Sequence, residues 1–355
     1  LQDTIDVSGM GFRGADPGGD VYGNGCYQDD PSGFSQYFYT ETASDSAGWK
    51  GEGAADTTFA YPRGMGSLIN GGGGGNARYS GGGGGSNYER GGLGGDESDI
   101  CASPAVGLTN GNFGFNFKRI NFYKNDDWAD NSDDFEANRI FFGGGGGTGT
   151  QDPGYAATPG GNGGGIVVII ADTLRAGGGS AILADGESVT EVATGAGGGG
   201  GAGGCIVLDV SHYEGTINVS AVGGKGGDTD NPVYTTGPGG GGGGGLYWVK
   251  YDSVNLVKNT TPGAAGIKLG NDEYGATDGL PPGVLTDLNV PLNGFLFNTL
   301  PADKTVCSDE TPAPIEASRP KGGNGIYTYE WEYYRLSEGT WQTDPSNTGE
   351  DYIFS

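Results

Sequence analysis

The residues best suited to chemistry lie in "KNDDWADNSDDFE", Lys124–Glu136. Asp126, Asp127, Asp130, Asn131, Asp133, Asp134 and Glu136 bring carboxylate and amide oxygens together at a density that suits Ca²⁺. The segment is not an EF-hand, because it lacks that loop's central glycine and spacing. The plain alternative is a solvated acidic loop. "GGDESD" (94–99) and "GGDTDN" (226–231) are lesser candidates of the same kind. Acid–base or nucleophilic catalysis has little to work with. The single histidine, His212 in "DVSHYEG", reads as a surface or turn residue between two strands. No Ser/His/Asp or Cys/His constellation is visible. Solenoid polysaccharide lyases use carboxylates with Lys or Arg, but no such pair stands out here. The chain therefore reads as a non-enzyme.

Aromatic residues are the other candidates for a site. Tyr22, Tyr27, Tyr37, Tyr39, Trp49, Tyr61, Tyr79 and Tyr88 crowd one region, and Trp49, Tyr37, Tyr39 and Tyr61 are the choice for a glycan- or protein-binding surface. Their other use is to cover a core that has no side chains of its own. Four cysteines, Cys26, Cys101, Cys205 and Cys307, form no C-x-x-C pair, which argues against zinc or a thioredoxin-like site. An even number in an acidic chain suggests disulfides and an extracellular setting. Cys26–Cys101 is the preferred pair, with Cys205 and Cys307 free or paired.

The formal net charge is −26. Nothing could neutralise phosphates, so nucleic acid is excluded as a partner, and an anionic membrane surface is disfavoured. No segment is apolar for long enough to span a bilayer as a helix. Leu1 stands directly ahead of a strand, "TIDVSGMGF", so the chain reads as part of something longer.

The elements that must position these residues are dominated by glycine, 79 of 355 residues, about three times average usage. Composition alone suggests flexible linkers. Yet the chain carries 19 Tyr, 14 Phe and 5 Trp, and disordered segments are poor in aromatics. Its glycine runs also lead into apolar segments. "GGNGGGIVVIIADTL", "GGGAGGCIVLDVSHY" and "GGGGGGGLYWVKYDS" place Ile166, Cys205 and Leu246 at equivalent points, 39 (166 to 205) and 41 (205 to 246) residues apart. Repeats of about forty residues over 160–266 follow. Each carries a second short strand: "SAILADGES", "GTINVSAVGGKGGD" and "SVNLVKNTTPGAAG". The start, "DTIDVSGMGFRGAD", aligns with the middle one, Ile5 on Ile217 and Val7 on Val219. Residues 17–139 then form a long insertion.

"TIDVSG" and "TINVSA" alternate as half-buried strands do, and "IVVII" reads as a strand covered on both faces. No helical period exceeds two turns. The fold expected is all-β: stacked strand repeats, solenoid- or sandwich-like. The runs Gly71–Gly75, Gly81–Gly85, Gly143–Gly147, Gly197–Gly201 and Gly239–Gly245 would cost roughly 1–2 kcal/mol per residue to order. They are expected to do so as threefold, polyproline II-type helices that bond laterally, the first two joined by the turn "NARYS".

"VSGMGFRGA", "SLINGGGGGNARYSGGGGGSNYERGGLGG", "RIFFGGGGGTGT" and "GGNGGGIVVIIADTL", in that order over residues 1–260, resemble a glycine-rich module of very large Bacteroidetes cell-surface proteins. Those are gliding-motility-associated, SprB-like adhesins exported by the type IX system. "TVCSDETPAPIEASRPKGGNGIYTYEWEYY", Thr305–Tyr334, is similar to the start of their Ig- or PKD-like repeats, with Trp331 as a core tryptophan. The division expected is thus a glycine-rich domain over 1–300 and a partial Ig-like sandwich over 301–355. The resemblance implies export, a cell-surface address, adhesion or filament formation, and partners among surface polysaccharides or other surface and secretion-system proteins. A carbohydrate- or protein-binding module with its site in the aromatic insertion is the rival expectation; a polysaccharide-degrading enzyme is a weaker one.

Overall fold

The computed structural model describes residues 1–18, 47–54, 62–99, 101, 111, 113–114, 140–269, 272–286, 288, 296–297, 314, 321–322, 329–335 and 337–346. The chain divides into two compact units, Leu1–Leu288 and Asn289–Ser355. Every regular element among the described residues is a strand.

The first unit is a parallel β-solenoid. β1 (Thr4–Asp6), β3 (Ala181–Leu183), β5 (Ile217–Ser220) and β7 (Leu256–Lys258) form one sheet; β2 (Ile166–Arg175), β4 (Cys205–Glu214), β6 (Leu246–Val249) and β8 (Gly283–Leu285) form the other. All pairs within both sheets are parallel. Three coils, β2–β3, β4–β5 and β6–β7, are therefore stacked. The forty-residue spacing is the length of chain in one coil: Ile166 lies opposite Cys205, and Cys205 opposite Leu246.

The apolar core lies between the sheets. Ile206, Leu208 and Val210 of β4 meet Ile182 of β3 and Ile217 and Val219 of β5, all essentially without exposure. Each such aliphatic side chain contributes roughly 1.5–3 kcal/mol by leaving water. β4 has a strand on either side and is buried along its first six residues. β2 departs from expectation. Its "IVVII" stretch is not covered on both faces: Val168 and Ile170 remain 52% and 49% exposed. The pattern that suits a central strand falls here on the outermost strand of its sheet. The internal alignment also slips. Ile5 stacks on Ile182, and Ile182 on Val219, so Ile5 stands level with Val219 rather than Ile217. A two-residue shift keeps the same side chains facing inward, so the apolar pattern cannot distinguish the two registers.

The glycine runs are ordered and entirely buried. Their hydrogen bonds have a period of three. Gly81 and Gly84 donate to the carbonyls of Gly95 and Gly92, Gly82 and Gly85 to those of Gly197 and Gly200, and Gly83 and Ser86 to those of Gly73 and Asn70, at 2.8–3.0 Å. Every third amide addresses the same neighbour, as a threefold helix with no internal hydrogen bonds requires. Gly239, Gly242 and Gly245 likewise bond to Gly227, Gly224 and Ala221, while Gly240 and Gly243 bond to Gly82 and Gly85. The runs thus form one laterally bonded bundle, and the long insertion supplies part of it. None of the run glycines has a positive φ. Glycine is needed for close approach: a Cβ on Gly82 would lie 2.2 Å from the Gly147 oxygen, and one on Gly242 1.9 Å from that of Gly201.

Bundle and solenoid are continuous. Cys205 N donates to Gly165 O and Leu246 N to Gly204 O, so the ladder runs from glycine helix into strand without a break.

In the second unit, β9 (Leu296–Phe297) pairs antiparallel with β10 (Lys321–Gly322), and β11 (Glu332–Arg335) with β12 (Thr340–Thr343). Trp331, expected in a sandwich core, is partly exposed.

Candidate functional site

The acidic cluster Asp126, Asp127, Asp130, Asp133, Asp134 and Glu136 lies outside the described residues, as do Tyr37, Tyr39, Tyr61 and Cys26. Trp49, the remaining member of the proposed binding set, is half-buried at the margin of the glycine bundle. Its amide donates to Thr148 Oγ1 at 2.9 Å, and its carbonyl accepts from Thr148 N at 2.9 Å. Across an antiparallel bridge, the Arg63 guanidinium sits 4.0 Å over the indole. A cation at that distance is attracted by the ring face. That face is thus already covered. Beside it, Lys50 is 6% exposed, and burial pulls its ammonium down to about 7.

A second group assembles around Tyr79. This residue adopts φ 59° in the "NARYS" turn and is 1% exposed. Its ring stacks on Tyr234 at 5.5 Å, and Tyr155 meets both edge-on at 6.0 and 5.4 Å. Arg78 lies 5.4 Å from the rings of Tyr79 and Tyr234 and 3.0 Å from Asp152. Sequence reasoning noticed Tyr79 but not its partners. The available signal was position: Tyr79, Tyr155 and Tyr234 each stand a few residues ahead of a glycine helix, starting at Gly81, Gly160 and Gly237. The rings come together because the helices behind them do.

A third feature is an open depression of about 700 Å³ lined by Ile267, Asp272, Glu273, Tyr274, Ala276 and Thr277. Tyr274 Oη donates to Glu97 O at 2.9 Å. Burial, with the carboxylates of Asp99, Asp96, Glu97 and Asp272, pushes its phenol up to about 12. Lys268 lies 4.4 Å over the Tyr274 ring and 3.5 Å from Asp272. Asp96 and Glu97, from the "GGDESD" stretch, are buried here. In the "GGDTDN" stretch, Asp228 is held by Lys225 at 2.5 Å and accepts from Ile267 N at 2.9 Å. Among the described residues, no three His, Cys, Asp or Glu side chains converge as a metal site would require.

His212 lies within β4 rather than between two strands, exposed, with Nδ1 3.9 Å from Asp172. Cys101 is buried and disulfide-bonded; its partner lies outside the described residues. Cys205 is free and buried, and burial raises its thiol pKa. Its Sγ donates to Phe141 O at 3.2 Å and accepts from Asn87 Nδ2 at 3.5 Å, so Asn87 of the insertion and Phe141 just beyond it cover the start of β4.

Among the described residues no helix is long and apolar enough to cross a membrane. Comparison with protein-family models, curated proteins and solved structures finds no match.

Proposed function

We propose that this chain is a stiff structural and adhesive module of a long, exported cell-surface protein. The observation that carries the reading is the continuity of the threefold glycine bundle with the parallel solenoid. Pulling the chain would have to shear many lateral hydrogen bonds at once, each worth roughly 0.5–1.5 kcal/mol net. A disulfide at Cys101 suits an oxidising, extracellular location. The strong negative charge suits solubility outside the cell and disfavours nucleic acid. Its partners would be surface polysaccharides or other surface and secretion-system proteins, and self-association would extend it into filaments. Residues 126–136 are where Ca²⁺ would bind. The module is not an enzyme.

Single-molecule pulling from both ends, with an Ig-like marker domain in series, tests this. The first unit should unfold cooperatively and at higher force than the marker. Gradual lengthening at low force would mean that the glycine runs are tethers, and the proposal would fall. The rival, a glycan-binding module, predicts selective glycan-array binding lost in Trp49→Ala. The Arg63 cover on Trp49 favours the structural reading.

A further inference from the structure

A stack of parallel strands has two ends, and one end of this solenoid is open in an informative way. β2 receives hydrogen bonds from β4 on one side, and no described strand pairs with its other side. Val168 and Ile170 are about half exposed. On the inward face Ile169 and Ala171 are only partly buried, whereas Leu208 and Val210, their partners in β4, are completely buried. The apolar core is therefore unfinished at this edge.

Leu1 indicates what finishes it. Its amino nitrogen donates to Arg175 O at 2.5 Å, and its carbonyl accepts from Gly177 N at 2.8 Å. A residue that donates to j−1 and accepts from j+1 is a rung of a parallel ladder opposite j. Leu1 is thus such a rung opposite Ala176, one residue past the end of β2. From there the chain turns into β1, which stacks on β3 as β3 stacks on β5. Leu1–Asp3 therefore occupies a coil corner, above those that follow β2 and β4. In the next two coils the corner is reached from a long strand of the second sheet, β2 or β4.

We propose that the free edge of β2 is a strand-accepting surface, whose occupant is a parallel strand entering the fold through the Leu1 nitrogen. The rung at Leu1 sets direction and register. The occupant carries apolar side chains where it faces Val167, Ile169 and Ala171, closing the core. On the other face it shields Val168 and Ile170. The chemistry is β-strand addition, with backbone hydrogen bonds supplying affinity and alternate side chains supplying selectivity.

The test compares the chain as it stands with one extended at Leu1 by a copy of Cys205–Glu214 carrying serine for the cysteine. That copy places its glutamate opposite Arg175, as Glu214 already is in β4. Amide hydrogen exchange and thermal unfolding are the readouts. The extension should slow exchange in β2 by roughly tenfold or more and raise the Tm, with the protein remaining monomeric. A control extension with lysine at the apolar positions should do neither. Unchanged exchange in β2, or equal protection from the control, would overturn the proposal. So would concentration-dependent dimerisation of the unextended chain that Val168→Lys abolishes, since the edge would then belong to a second copy.

Discussion

Between the sheets, the buried atoms belong to side chains: Ile206, Leu208, Val210, Ile217 and Val219 fill the space against one another. In the glycine bundle, the buried atoms are backbone, and the nearest neighbour of an imagined Cβ is a carbonyl about 2 Å away. The same passes of chain build both regions, since each long strand continues from a glycine helix. The difference extends to polar groups. The core between the sheets is lined by aliphatic side chains and takes in few polar atoms, among them the Tyr213 hydroxyl and the Tyr247 hydroxyl, which accepts from Ala221 N and donates to Asn259 O. The bundle buries Lys50, Arg63, Asn70, Ser86, Asn87 and Thr148. A threefold helix points amides and carbonyls in every radial direction, so a helix at the bundle margin needs side chains to satisfy the groups that face outward. Asn70 does this: its Nδ2 donates to the carbonyls of Ser86 and Phe142, and its Oδ1 accepts from Ala54 N. Asn87 reaches the Gly203 carbonyl at 2.8 Å. An apolar core is weakened by removing atoms; a glycine bundle is broken by adding them.

The largest effect should therefore come from the smallest addition. Gly82→Ala places a methyl 2.2 Å from the Gly147 oxygen. It should cost at least ~3 kcal/mol, the upper range for overpacking, because rigid backbone must move. Urea unfolding would measure it. A loss below about 0.5 kcal/mol would show that the bundle yields, and the contrast between the regions would fail.

Leu208→Ala tests the other side. Leu208 is fully buried at the centre of β4, and its truncation should cost about 3 kcal/mol through lost burial and a cavity. A smaller loss than at an edge position such as Ile170→Ala would mean that the sheets do not pack as a closed core.

The buried lysine sharpens the comparison through pH. Burial lowers the Lys50 pKa from 10.5 to about 7. Between those values the unfolded chain binds more protons than the folded one, so stability rises with pH across the window. The gain disappears as pH falls through about 7. The slope should reach at most ~1.4 kcal/mol per pH unit. Tm measured from pH 6 to 10 in the parent and in Lys50→Met would report it, and only the parent should show the rise. Matching profiles would place that ammonium in water.

Gly178 is the control. A Cβ there meets nothing within 4 Å, and its φ is not positive. Gly178→Ala should change stability by no more than ~0.5 kcal/mol, read by the same urea titration. A loss comparable with Gly82→Ala would mean that glycine is required throughout rather than where backbones meet.

Much of this architecture was legible because glycine and apolar patterning act locally. The forty-residue spacing of Ile166, Cys205 and Leu246 became the strand register directly. β8 escaped notice because Gly283–Leu285 is three residues long and carries no alternation to read. The exposure of Val168 and Ile170 was hidden because an apolar run looks alike whether its strand is central or outermost. The Tyr79–Tyr155–Tyr234 group was hidden because the rings come from distant loops.

By itself, the sequence determined that the fold is built from strands, that its long strands recur about every forty residues, and that glycine forms a core rather than tethers. Its means were side-chain alternation and the absence of Cβ atoms, which are properties of each short segment. Only the tertiary structure decided which glycine helix bonds to which, where Trp49 and its Arg63 cover stand, and which strand is left at an open edge. Glycine runs are alike in sequence and their hydrogen bonds are all lateral. A run therefore carries nothing that names its neighbours, and the coils and corners at its ends must choose them.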